Sequence, residues 1–178
     1  MYRTLLDREA DEAGRAEWVS ALDKGCSYGY ILSSFTGSQE FISLCAEYGI
    51  TAGAYTTSEP RDVNLDLTAF VSRMYTKALG RAYDIDGLND WTNDYLTGAA
   101  TANKIAYGFI FSPEFVNREL SNEDYVDTLY RTFFDRESDP AGRADWISTL
   151  EDGTSRADVL NGFLGAQEFE NLNAGFNV

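Results

Sequence analysis

Apolar positions along this chain recur at intervals of three and four. Phe70 and Met74 with Val71, Tyr75 and Leu79 draw one stripe; Val126, Tyr130 and Phe134 with Leu129 and Phe133 draw another. That period gathers apolar side chains on one helix face, so each stretch predicts a first helix that carries core. Asp11, Asp84 and Asp139 then stand where an N-cap belongs, and Pro140 takes the first helical position, where a missing N–H costs nothing. A second helix is expected to start there, with Gly25, Gly98 and Gly153 ending it. Ser27, Thr101 and Ser155 can cap a third, holding Ile31, Leu32 and Phe35, then Ile105 and Phe109, then Val159, Leu160 and Phe163. A fourth opens at Ser38-Gln39-Glu40-Phe41 and at Ser112-Pro113-Glu114-Phe115. No alternating strand pattern of useful length intervenes, and the expected class is all-α.

The same unit comes three times. Tyr2, Tyr75 and Tyr130 each precede a glycine (Gly14, Gly87, Gly142) by 12 positions and a tryptophan (Trp18, Trp91, Trp146) by 16. Arg8, Arg81 and Arg136 fall inside each run, and each copy closes on a Glu-Phe pair: Glu40-Phe41, Glu114-Phe115, Glu168-Phe169. Fixed spacing repeated in order predicts tandem repeats of about four short helices each, packed as one or two helical domains. The expected layout is repeat one at 1–50 with its first helix truncated, a linker at 51–66, repeat two at 67–120 and repeat three at 121–178. The linker rests on the polar run Thr51 to Pro60, so copy one is expected to stand partly apart from the other two. Leu172 to Val178 lines up with Leu44 to Ile50 as a common ending. Met1-Tyr2 opens in the middle of the pattern, and a longer parent chain is expected.

Composition narrows the chemistry. Fourteen basic residues against 29 acids leave a formal charge of −15 over 178 residues, which repels phosphate backbones and anionic lipid, so neither nucleic acid nor a membrane surface is an expected partner. There is no histidine, which removes imidazole bases, His-paired nucleophiles and His-containing zinc sites. No stretch approaches the ~20 apolar residues of a spanning helix, so no membrane insertion is expected.

The run Tyr-x-x-x-Leu/Phe-x-Arg-x-x-Asp-x-x-Gly-x-x-x-Trp, with its closing Glu-Phe, resembles the bacterial family called domain of unknown function 4214, similar in turn to the phycobilisome linker domain. The resemblance covers nearly the whole chain. It implies an all-helical module appended to secreted or surface-attached bacterial proteins, extracellular or on the cell surface, with no catalytic residues to carry over. Copy two departs from it, with Gly80 where the others have Asp7 and Asp135, and Ala82 where they have Glu9 and Glu137.

Two readings compete for the repeated acids. Asp7, Glu9 and Asp11, like Asp135, Glu137 and Asp139, alternate carboxylates as a hard cation selects, which makes calcium the one cofactor to consider. An EF-hand loop, however, wants glycine at its sixth position and glutamate at its twelfth, whereas here glycine comes eighth and Trp18 or Trp146 twelfth. The plainer reading makes Asp11, Asp84 and Asp139 helix caps, with Arg8, Arg81 and Arg136 paired to Glu17, Asp90 and Asp145 or to exposed carbonyls, and the tryptophans core. It also explains the copy that lacks the other acids. Cys26 and Cys45 are either free thiols or one disulfide. Tyrosines off the core stripes, among them Tyr28, Tyr30, Tyr55 and Tyr107, suit a binding surface.

The expectation is a non-catalytic extracellular interaction or anchoring module that contacts a glycan, a cell-wall polymer or a protein. A calcium-stabilised adhesion module is the first alternative. A carboxylate-based hydrolase is the second, and it would require two acids facing each other across a cleft.

Overall fold

A computed structural model describes residues 1–176 as helices and turns, with no strand among the described residues. Copy one comprises α1 (Tyr2–Leu5), α2 (Glu12–Asp23), α3 (Tyr28–Thr36) and α4 (Gln39–Glu47); copy two comprises α5 (Leu65–Arg73), α6 (Ile85–Leu96), α7 (Ala102–Ile110) and α8 (Pro113–Val116). Copy three repeats this with α9 (Asn122–Leu129), α10 (Pro140–Glu151), α11 (Arg156–Leu164) and α12 (Gln167–Leu172).

The local signals work as read. Asp11, Asp84 and Asp139 accept from the backbone N–H of Gly14, Gly87 and Gly142 at 2.8, 2.7 and 2.9 Å. Ser27, Thr101 and Ser155 cap α3, α7 and α11 in the same way, and Ser38 and Ser112 cap α4 and α8. Only α12 lacks a side-chain cap within this series, because Ala166 stands where the serine was.

First helices do not stop where the α-pattern stops. After Arg73 and after Leu129 the backbone widens to π-helical turns, Met74–Leu79 and Tyr130–Phe134. Each then turns through a left-handed residue, Gly80 at φ 71° and Asp135 at φ 52°. Asp7 holds the same conformation at φ 49° in copy one. The exchange of Asp for Gly between copies therefore follows backbone geometry, since glycine and, less readily, aspartate tolerate that region.

Copies two and three share one core, running from Leu67 to Phe176, in which Phe70, Val71, Leu129 and Phe133 are fully buried. Arg73 bridges them, donating to the Thr132 carbonyl at 3.1 Å and to Asn173 Oδ1 at 3.2 Å. Copy one keeps a separate, smaller cluster of Leu6, Cys26, Ile31 and Phe35.

Two expectations change here. The segment read as linker is stitched down in its second half: Asp62 is buried and accepts from Ser27 N at 2.8 Å and Thr57 Oγ1 at 2.6 Å, while Arg61 N donates to Asn89. The described endings also part company. Phe176 is buried between Phe70 and Tyr95, with Tyr95 donating to its carbonyl at 3.0 Å, whereas its counterpart Tyr48 is exposed. Asn177 and Val178, the last two residues of that alignment, lie outside the described residues.

Candidate functional site

The recurring residues meet in one knot per copy. Each motif tyrosine stands edge-on to a phenylalanine of the third helix, Tyr2 to Phe35, Tyr75 to Phe109 and Tyr130 to Phe163, with ring centroids 4.9, 4.8 and 5.1 Å apart. Trp18, Trp91 and Trp146 lie against the same phenylalanines at 5.3, 5.4 and 5.1 Å. They are half-buried packing elements, as the plainer reading had it.

Over each tyrosine ring lies the motif arginine, Arg8, Arg81 or Arg136, with its guanidinium carbon 4.8, 5.0 and 4.9 Å from the centroid. Its fork grips the closing glutamate. Arg81 Nε and Nη2 donate to Glu114 at 2.5 and 3.1 Å, Arg136 to Glu168 at 2.5 and 2.9 Å, and Arg8 holds both oxygens of Glu40. A further N–H reaches the next carbonyl in the loop, of Glu9, Ala82 or Glu137. The capping aspartates stand 3.6, 3.6 and 3.5 Å away. The arginines thus pair with Glu40, Glu114 and Glu168 and not with Glu17, Asp90 and Asp145. The closing glutamates come 32 or 33 residues later in the chain, too far for local pairing rules to find.

These partners set the charge states. The arginine bonds hold Glu40, Glu114 and Glu168 below the usual carboxylate range, and the Gly14, Gly87 and Gly142 N–H groups do the same for Asp11, Asp84 and Asp139.

The acids weighed as calcium ligands are dispersed by this arrangement. Glu9 pairs with Arg3 at 2.7 Å and Glu137 with Arg131 at 2.8 Å, Asp11 and Asp139 turn to their helix ends, and Asp7 and Asp135 supply the left-handed turn. Among the described residues no group of three carboxylates or thiols converges. Cys26 and Cys45 are not joined: both are free thiols, Cys26 buried in the copy-one core and Cys45 half-buried on α4. Burial pushes the Cys26 thiol up to about 11.

Beside the knot in copies one and two lies a slot of about 180 and 190 Å³, floored by Leu6 or Leu79. In copy three Phe134 takes that position and stacks on Phe163 at 4.9 Å.

A further, wholly apolar cavity lies on copy one. Trp18, Val19, Leu22, Tyr28, Ile31 and Phe35 line a cavity of about 190 Å³ with Arg15 at its rim. Val19 is 48% exposed and Tyr28 75%, whereas Thr92, the counterpart of Val19, is fully buried. No residue of α2 is buried. Sequence reasoning singled out Trp18 and Tyr28 but passed over Val19 and Arg15, whose signal lies only in comparing one copy's packing with another's.

The family model described as Domain of unknown function (DUF4214) matches residues 1–45, 59–119 and 106–173. No curated protein and no solved structure matches the chain.

Proposed function

We propose that this chain, which belongs to the family of domain of unknown function 4214, works as a non-catalytic interaction module whose binding face is the apolar surface of its first copy. The repeated polar residues are engaged in holding helices together: each motif arginine binds a glutamate, a carbonyl and a tyrosine ring within its own copy. What carries the reading is the contrast between copies. The face of α2 that leaves Val19 in solvent answers in copy two to a face on which Leu88 and Thr92 are fully buried, and in copy three to one on which Ile147 is half-buried. An apolar patch rimmed by polar residues marks an interaction site.

In this reading the module belongs to a secreted or surface-attached parent and holds it to a protein, glycan or wall polymer. No helix among the described residues is long and apolar enough to cross a membrane. The test compares the wild-type chain with Val19→Asp and Tyr28→Ala on isolated wall polymer, a glycan panel and secreted proteins. Binding lost in both variants at unchanged melting temperature supports the assignment, and binding retained in both removes this face from consideration.

A further inference from the structure

Leu79 and Phe134 hold the same place, four positions after the motif tyrosine of their copies. In copy three a phenyl ring is already seated there. Phe134 stacks on Phe163 with centroids 4.9 Å apart, meets Tyr130 edge-on at 5.4 Å and lies 5.7 Å from the guanidinium carbon of Arg136. Phe109, Tyr75 and Arg81 are the counterparts of those three groups, and all three line the copy-two slot. Leu79 brings no ring to place among them, and about 190 Å³ is left beside Trp91, open to solvent on one side. An apolar cavity of about 150 Å³ is enough to take up benzene. Copy two has described chain on both sides of it, so this opening is a feature of its own packing.

The rim gives the slot a chemical preference. Glu114 stands there with its side chain about half exposed, and each of its oxygens takes one N–H from Arg81. An ionised carboxylate has about four acceptor positions, so Glu114 can still receive a donor from inside the slot. Arg81 Nε, Nη1 and Nη2 each already donate, to Glu114 and to the Ala82 carbonyl. Asp84, 3.6 Å from Arg81, adds a second negative charge. The rim therefore accepts hydrogen bonds and disfavours anions.

We propose that the copy-two slot, and its equivalent beside Leu6 in copy one, bind a small uncharged aromatic molecule carrying a hydroxyl or N–H donor. Its ring lies on Phe109 (Phe35 in copy one), as Phe134 lies on Phe163, and its donor meets Glu114 (Glu40). Stacking and edge-on contacts with three aromatic walls favour a planar ring, and the arginine above contributes a cation–π contact. The copy-two slot shares no residue with the copy-one apolar face, so the failure of this proposal leaves the interaction reading standing.

The test titrates phenol into the full chain and follows ¹⁵N amide shifts, with benzoate and methyl glucoside as comparison probes. Saturable phenol shifts are expected at Leu79 to Arg81 and Gly108 to Glu114, and at Leu6 to Arg8 and Ser34 to Glu40, with an affinity of about 1 mM, within what so few heavy atoms supply. Leu79→Phe places in copy two the ring that copy three carries and should abolish the copy-two set alone. Phe134→Leu gives copy three the residue of the other copies and should add a third set, at Arg136, Gly162 and Glu168. Glu114→Gln keeps an acceptor but loses the charge and the Arg81 ion pair, and should weaken phenol at copy two roughly threefold or more while letting benzoate in. No saturation below about 10 mM phenol overturns the proposal, as do shifts indifferent to Leu79→Phe. If Leu79→Phe does not fold, Phe134→Leu decides alone, and the absence of a third set overturns the proposal. Benzoate binding the wild type as well as phenol does overturns the donor assignment, and methyl glucoside saturating these amides where phenol fails overturns the aromatic class in favour of a sugar.

Discussion

Tyr130 sets its hydroxyl against the backbone of Gly142, so closely that a β-carbon there would lie 2.3 Å from the oxygen. Gly14 meets Tyr2 at the same distance, and Gly87 meets Tyr75 at 2.4 Å. The 12-position spacing from tyrosine to glycine in each repeat is therefore a contact between the first and second helices. Gly142→Ala should destabilise the protein by about 1–3 kcal/mol through overpacking, a fall in Tm of roughly 3–10 °C. Tyr130→Phe removes the clashing oxygen and should recover part of that loss when combined with Gly142→Ala. Thermal melts of the two single variants and the double variant complete the cycle.

The arginine knot predicts that lysine will not substitute. Arg81→Lys retains the charge but loses the fork on Glu114, the second N–H to the Ala82 carbonyl and the planar contact with Tyr75. Its melting temperature should fall nearly as far as that of Arg81→Ala. A lysine variant as stable as the wild type would reduce the knot to a surface charge pair.

Acid should loosen the fold from these same sites. Folded-state values of Asp84, Glu114, Asp139 and Glu168 lie below their unfolded values, first through the Gly87 N–H, Arg81, the Gly142 N–H and Arg136 respectively. The stability they add is complete above the ordinary carboxylate range of about 3.9–4.3 and is lost as pH falls through the folded values. With no histidine in the chain, no imidazole step should appear between about pH 5 and 8. Melts at 0.5 M salt, where long-range repulsion among the excess acids is screened, should stay level through that interval and drop below about pH 4. In Arg81→Lys the acid drop should be shallower.

Calcium should leave the melting temperature where it is. Asp7, Glu9 and Asp11, and likewise Asp135, Glu137 and Asp139, are committed to separate turns, caps and ion pairs. Sites of micromolar affinity would add roughly 4 kcal/mol at millimolar ion. A rise of several degrees over the chelated sample would restore the loops as ion sites.

Alkylation under non-reducing conditions should find both thiols free after unfolding. In the folded protein Cys45 should react first, because Cys26 is buried and its thiol is held up at about 11. Loss of both signals in the unfolded, unreduced sample would establish the disulfide that the structure does not contain.

The helices, their caps and the threefold repetition were legible because each is written over a few residues. A carboxylate three positions ahead of a glycine N–H, or a stripe at every third and fourth residue, needs no distant partner to act. The partner of Arg8, Arg81 and Arg136 was not legible, although the glutamates themselves stood out as part of a closing pair. Two helices and two turns intervene, and pairing across them depends on how the helices stack. The reason for Gly80 was hidden in the same way. Only the backbone reveals that Asp7, Gly80 and Asp135 share one left-handed turn.

The sequence by itself determined the all-α class, three copies of one four-helix unit, the places where helices begin, and the exclusion of imidazole chemistry. Tertiary structure alone decided that copies two and three close around a single core, that the apparent linker is bonded at Asp62 and Arg61, and that each motif arginine grips the closing glutamate of its own copy. The physical reason is range. Capping and periodicity act within one turn of the chain, whereas burial and ion pairing are settled by which faces are brought together from residues distant in the chain.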